Sequence, residues 1–212
     1  MNKVFRNIWN GAALFWCFCL LFLAAGAVML VNLRQGDEVL FLNARHTPLL
    51  DSFFKIITKT VEFPWIIIWM IAAAAVRFRY FVFCLISVTL AGAVVQVMKH
   101  LLFYDKLRPA AYFAGQYALH FVEGVEPLYL HSFPSGHTAS AFALFLSLAL
   151  CIRHHAASAG LFLAAALVGF SRMYLLQHFL RDVYAGAIVG LISATLSYVI
   201  ITRYTNIDEA PE

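Results

Sequence analysis

Charge is what this sequence has least of. Only 12% of its 212 residues are Asp, Glu, Lys or Arg, against 63% that are hydrophobic. Soluble domains carry about 25% charged residues, so an ordinary soluble globular protein is excluded. Cysteine is sparse too. Cys17, Cys19, Cys84 and Cys151 all lie in apolar runs, and no CxxC pair occurs. That excludes a disulfide framework and a cysteine-held metal, and leaves small hydrophobes. No carboxylate cluster suited to a metal appears among the 11 acidic residues. The formal charge of +4 permits contact with anionic lipid but does not suggest nucleic acid. Nothing marks an internal repeat or a second domain.

What the chain has instead is long apolar stretches: Gly11–Val31, Phe63–Val76, Tyr80–Met98, Thr138–Ile152, Ala156–Phe170 and Val183–Ile201. A helical span needs about 20 residues, and the flanks of the shorter runs can supply the difference. Around Phe63–Val76, Thr60 and Val61 extend one end, while Arg77 and Arg79 can snorkel at the other. The expected fold is therefore all-α: a polytopic membrane protein with a bundle of six transmembrane helices near 11–31, 61–79, 80–103, 135–153, 156–175 and 182–202. These form one domain over 1–203, with a polar tail over 204–212. Lys3 and Arg6 precede a first run of 21 residues. Signal peptides carry apolar cores of about 7–15, so this is read as an uncleaved signal anchor.

Between the first two spans, Thr47 caps an expected helix with Pro48 in its first turn. Leu49, Leu50, Phe53, Phe54, Ile57 and Val61 share one face, with Asp51, Lys55 and Lys59 largely opposite. This predicts an interfacial amphipathic helix, the alternative being a helix packed on the bundle. Gly186 and Gly190 form a GxxxG suited to helix packing. Placing the N-terminus inside leaves six of the 15 Lys and Arg inside, contrary to a plain positive-inside count. The short basic turns at 77–79 and 153–155 weigh most and favour that orientation.

Three polar clusters interrupt the apolar pattern. "KHLLFYDKLRP" holds Lys99 and Arg108–Pro109 at the end of the third span. "PSGH", Pro134 to His137, opens the fourth. "SRMYLLQHFLRD" carries Ser171, Arg172, His178 and Asp182 between the fifth and sixth. Counting crossings puts all three on one membrane face, whichever way the chain is inserted. Arg108 and Arg172 offer forked donors that match phosphate, and Lys99 adds a point charge. Ser135 brings a hydroxyl, and the Gly136 N–H at a helix start can point at an anion. Together they suit a tetrahedral oxyanion such as phosphate. His178 and Asp182 stand four apart, on one helix face if helical there, so the carboxylate can hold one ring nitrogen protonated and free the other to attack. His137 is placed to protonate the leaving oxygen.

These blocks resemble the signature of the type 2 phosphatidic acid phosphatase superfamily: K-x6-RP, PSGH, then SR-x5-H-x3-D. The second and third match letter for letter. In the first, eight residues rather than six separate Lys99 from Arg108, and Leu101 stands where the lysine is expected. Lys99 reaches the site only through a bulge or longer turn, and Lys106 competes for the role. The resemblance covers about residues 60–202. It implies metal-independent hydrolysis of a phosphomonoester or diphosphate, with no cofactor. His178 is the nucleophile that becomes a phosphohistidine, and His137 is the acid and then the base. Lys99, Arg108, Ser135, Gly136 and Arg172 stabilise the phosphoryl oxygens.

The implied substrate is a membrane lipid phosphate: a polyprenyl diphosphate, phosphatidic acid or phosphatidylglycerophosphate, or phosphorylated lipid A. The implied location is a bacterial inner membrane with the site on its outer, periplasmic face. Two alternatives stay open, a lipid-to-lipid phosphotransferase using the same phosphohistidine and a non-catalytic lipid-phosphate binding or transport protein. A vanadate haloperoxidase, built on a similar cradle, fits the membrane composition poorly. The remaining charges read as ordinary: Lys106 and Arg181 as solvated or headgroup-facing, and Ser171 as support for the site. His46, His100, His154 and His155 read as non-catalytic. His120 and His131 read as solvated residues of the 104–133 loop.

Overall fold

A computed structural model describes residues 3–204, with side chains from Arg6 onward. Among these residues there are ten α-helices and no strand. They are α1 (Lys3–Gly11), α2 (Ala13–Asn32), α3 (Asp37–Asn43), α4 (Pro48–Lys59), α5 (Trp65–Val76), α6 (Phe78–Val97), α7 (Pro109–Tyr112), α8 (Gly136–Ile152), α9 (His155–Tyr174) and α10 (Leu180–Tyr204). A π-helical turn, Met98–Leu102, continues α6. The expected tail lies outside the described residues.

Four helices are long and apolar enough to cross a membrane: Ala13–Asn32, Phe78–Leu102, His155–Tyr174 and Leu180–Tyr204. α5 and α8, at 12 and 17 residues, are shorter apolar helices. Leu20, Leu21, Val28, Val31, Ile68 and Ile71 all face outward on α2 and α5. Water would penalise such a surface, and lipid does not. This is an integral membrane protein.

α8 is the axis of the fold. Every residue from Ala141 to Leu150 is buried, as a helix apolar on all sides requires. It packs on α6, α9 and α10. Contact with α10 is close because Gly186 and Gly190 lack side chains. A Cβ on Gly190 would fall 2.4 Å from the Ala139 carbonyl oxygen, and one on Gly186 would fall 2.5 Å from that of Ser135. The expected GxxxG contact is thus intramolecular and pulls α10 against the mouth of α8. Ser147 Oγ donates to Ser87 Oγ at 2.9 Å and ties α8 to α6.

α4 begins as expected, with Thr47 Oγ1 accepting from the Leu50 N–H at 3.2 Å and Pro48 in the first turn. Its faces differ from expectation. α4 packs on α9 through Phe54 and Thr58, and Asp51 turns inward to accept from Tyr174 Oη at 2.5 Å. Leu49, Phe53 and Ile56 stay exposed. Hydrophobic grouping alone misplaced Asp51, because a buried tyrosine hydroxyl on another helix satisfies its carboxylate. Of the four cysteines, Cys19 and Cys84 are buried, Cys151 is partly covered and Cys17 is exposed.

Candidate active site

The three polar clusters meet where α6, α8 and α10 end or begin. His178 lies outside any helix, in the loop between α9 and α10, so the condition of a shared helix face is not met. Asp182 is the third residue of α10 and accepts from the Phe179 N–H at 3.0 Å, as the acidic residue of a capping box does. The same oxygen accepts from Ser132 Oγ at 2.5 Å and lies 3.5 Å from His178 Nδ1. The carboxylate is therefore held by a helix start and a serine while it faces the imidazole. The four-residue spacing works here because the loop folds back over the helix start. The carbonyl of Arg172 accepts from the N–H groups of both Gln177 and His178, at 2.9 and 3.0 Å, and fixes that fold.

His178 is 1% exposed, and Nε2 lies 3.4 Å from Arg108 Nη1. Burial and then the Arg108 charge bring its pKa down from 6.5 to about 3, against the opposing pull of Asp182. The imidazole is neutral at ordinary pH, the form a nucleophile needs. Arg108 is buried and anchored by protein carbonyls, with Nε donating to Leu130 at 2.8 Å and Nη1 to Gln177 at 3.1 Å. Burial also lowers its pKa, partly offset by Asp182.

Arg172 is buried and donates through Nη1 to Thr58 Oγ1 at 2.6 Å. Its buried Nε has no hydrogen-bond partner. Such an orphan donor costs about 1–3 kcal/mol unless a ligand accepts from it. Lys99, on the π-helical turn, lies within electrostatic range of Arg108, Arg172 and Asp182. A π turn accommodates an extra residue, so it absorbs part of the lengthened spacing and brings Lys99 into the cluster. Lys106 instead pairs with Asp105 at 3.5 Å.

α8 starts at Gly136 with Ser135 as its cap, Ser135 Oγ accepting from Thr138 Oγ1 at 2.9 Å and from the Thr138 N–H at 3.4 Å. The Ser135 hydroxyl keeps its own proton to donate. The Ser135 N–H donates to the Asp182 carbonyl at 2.9 Å, joining the PSGH turn to the His178 loop. The Gly136 backbone is not left-handed, and a Cβ there would meet only Val95 at 3.6 Å.

His137 Nε2 lies 2.7 Å from Glu62 Oε1. Hydrogen bonding to His137 holds the Glu62 carboxyl below its ordinary pKa, despite partial burial. Sequence reading missed Glu62. The available signal was an acid just before the second apolar run, but its partner stands 75 residues away. Ser132, Thr58 and Gln177 were missed for the same reason. Ser171, expected to support the site, donates to the Val168 carbonyl at 2.7 Å within α9. Arg181 Nη1 donates to Gln35 Oε1 at 2.6 Å, while its Nε lies 3.5 Å from Asp182 Oδ1.

A cavity of about 380 Å³ opens beside these groups. His137, Glu62, Arg172, Gln177, Lys55 and Lys59 form part of its wall. His178 is the next residue after Gln177, with Arg108 Nη1 3.4 Å from its Nε2.

Cations around a sequestered neutral histidine, with a second histidine at a cavity, form a phosphoryl-transfer arrangement. The PAP2 superfamily profile matches residues 80–206, and the chain belongs to that superfamily as a membrane phosphatase. The lipid A 4'-phosphatase of Porphyromonas gingivalis is 28% identical over 176 residues, covering 77% of this chain and 71% of that protein. The crystal structure of Aquifex aeolicus LpxE superposes with a TM-score of 0.67 at 27% identity, covering 78% of this chain and 96% of that one. A transmembrane PAP2 type phosphatidylglycerolphosphate phosphatase from Bacillus subtilis shares the fold, with a TM-score of 0.63, 22% identity, and 93% and 98% coverage.

Proposed function

We propose that this phosphatase hydrolyses the phosphate of a membrane lipid through a phosphohistidine on His178, with phosphorylated lipid A the first substrate class to test. The observation that carries the reading is the pairing of His178 with Asp182 and Arg108 behind a cavity walled by His137 and Arg172. The lipid A choice rests on the name of the Porphyromonas gingivalis relative. The polyprenyl diphosphate and glycerophospholipid classes follow it.

In this mechanism Nδ1–H of His178 faces Asp182, and Nε2 attacks phosphorus. The entering phosphoryl group takes the place where Arg108 Nη1 now faces Nε2, and Arg172 Nε gains an acceptor. Lys99, Ser135 and the Gly136 N–H complete the donors around the equatorial oxygens. As the P–O bond breaks, His137, supported by Glu62, gives its proton to the leaving oxygen. Water then loses a proton to His137 and attacks phosphorus, the P–N bond breaks, and phosphate leaves. No step is assigned to a metal.

The proposal takes residues 1–203 as one membrane domain with six crossings. α5 and α8 supply the two short spans, and α4 lies at the interface with Leu49, Phe53 and Ile56 toward lipid. The site faces the periplasmic side of an inner membrane. The test is a panel of lipid phosphates assayed with purified protein in detergent, chelator present. Free phosphate should be released, and denatured enzyme quenched in mid-turnover should carry an acid-labile, base-stable phosphoryl label. Transfer of that label to a second lipid instead of water would favour the phosphotransferase. Failure to turn over any of the substrates would favour the binding or transport alternative.

A further inference from the structure

A second cluster of ligating side chains lies apart from the phosphate cradle, at the corner between α3 and α4. His46, expected to be non-catalytic, and His120, expected to be a solvated loop residue, stack face to face with centroids 3.6 Å apart and planes 9° from parallel. Asp51 Oδ2 lies 2.8 Å from His120 Nε2. One nitrogen of each ring and a carboxylate oxygen of Asp51 all fall within 4.8 Å of one another.

Several features separate this group from a chance surface pair. Asp51 is oriented from behind, its other oxygen accepting from Tyr174 Oη at 2.5 Å. His120 is clamped through its backbone: Asn43 Nδ2 donates to the His120 carbonyl at 2.8 Å, and the His120 N–H donates to Asn43 Oδ1 at 3.0 Å. Ligands held by hydrogen bonds from outside the coordination sphere are typical of metal centres. The cations nearby in sequence are engaged elsewhere: Arg45 lies over the Phe41 ring at 3.5 Å with Nη1 on the Phe41 carbonyl at 3.0 Å, and Lys55 donates to the Glu123 carbonyl. An Asp51–His120 ion pair does not require the second imidazole. Among the described residues the exposed His46 ring has no hydrogen bond, which leaves its nitrogens free to ligate beside Asp51.

We propose that His46, Asp51 and His120 form a binding site for a divalent transition-metal ion of the zinc class. Two imidazole nitrogens and one carboxylate oxygen are a zinc-type donor set, which leaves a fourth position for water. Ligands about 2.0 Å from zinc are roughly 3.3 Å apart in a tetrahedron, and each imidazole binds in its own plane, so the His46 ring turns out of its stack on His120 to bring both nitrogens onto one ion. The site sits at a junction that matters. His120 belongs to the loop whose Gly124, Val125 and Glu126 wall the cavity. Lys55, one turn beyond Asp51, donates to the Glu123 carbonyl at 2.6 Å. An ion here would fasten that loop to α4, and α4 in turn carries Thr58, the partner of Arg172. Its role is to clamp the cavity wall, and no step of the phosphoryl transfer passes through it.

The test uses full-length protein in detergent, stripped with chelator, desalted and given Zn2+ alone. Metal per chain is read by mass spectrometry and the melting temperature by intrinsic fluorescence. The expected result is one Zn2+ per chain, a melting temperature a few degrees higher, and protection of residues 115–126 in hydrogen exchange. His46→Phe keeps a flat ring on His120 but removes the nitrogen donor. It should fold like the parent and bind at least tenfold more weakly, and His120→Gln should do the same. Failure of the stripped parent to take up stoichiometric Zn2+ would overturn the proposal. So would uptake by His46→Phe equal to the parent's. Neither result depends on which lipid the enzyme hydrolyses.

Discussion

The two histidines of the cradle live in different surroundings. His178 is sealed at 1% exposure, and its carboxylate partner is itself held by Ser132 and a helix start. His137 opens on the cavity, and its partner Glu62 comes from the short connection between α4 and α5, 39% exposed. The first arrangement is built before substrate arrives: Ser132 and the Phe179 N–H hold one oxygen of Asp182, and the partly exposed Arg181 stands 3.5 Å from the other. The second can exchange protons with the cavity. Under the proposed mechanism the difference matches a division of labour in which one imidazole stays neutral and fixed while the other gains and loses a proton each cycle.

That contrast can be broken most directly at its sealed end. His178→Ala should lower kcat by at least about 10⁴-fold, since a missing nucleophile disables the whole set. Turnover and label trapping measure this together. Asp182→Asn keeps the shape but not the charge, and should cost about 10²–10⁴-fold in kcat. A loss under tenfold would mean that the carboxylate serves only the helix start.

The packing that brings the halves together is the next target. Gly190→Val forces a side chain against the Ala139 carbonyl, and should destabilise by about 1–3 kcal/mol, read as a lower melting temperature. The open end should respond more mildly. Glu62→Gln is expected to lower kcat about tenfold with little change in KM, and to move the alkaline limb of the pH–rate profile to lower pH. An unmoved limb would remove Glu62 as the positioning residue of His137.

The last effect concerns pH and stability. The folded pKa of His178 lies below its ordinary 6.5, near 3. Between those values the unfolded chain binds a proton that the folded protein does not. The stability linked to this group is complete above about pH 6.5 and declines as pH falls toward 3. Melting temperatures for the parent should fall over that window, and His178→Asn should flatten the decline.

Much of this was legible beforehand. Helices stand near all six expected spans, and α8 and α10 lie within two residues of their expected starts. Lys99, Arg108, Ser135, Gly136, His137, Arg172, His178 and Asp182 all border one region, because fixed local spacings bring the blocks to matching helix ends. Illegible were the contacts between distant segments: Glu62 with His137, Thr58 with Arg172, Ser132 with Asp182 and His46 with His120. Each needs a partner that no period or motif points to. The π-helical turn that carries Lys99 into range was foreseen only as the need for some bulge.

The sequence by itself determined that the chain enters a membrane, since 63% hydrophobic residues in long runs leave no soluble alternative. It also determined the chemistry, since only a few polar residues interrupt those runs and their types and order suit phosphate. Tertiary structure decided which histidine is sealed and which is open, and which carboxylate each one faces. The physical reason is that burial and hydrogen bonding across the bundle set an imidazole's protonation state. Those surroundings exist only once α4, α8 and α10 have packed.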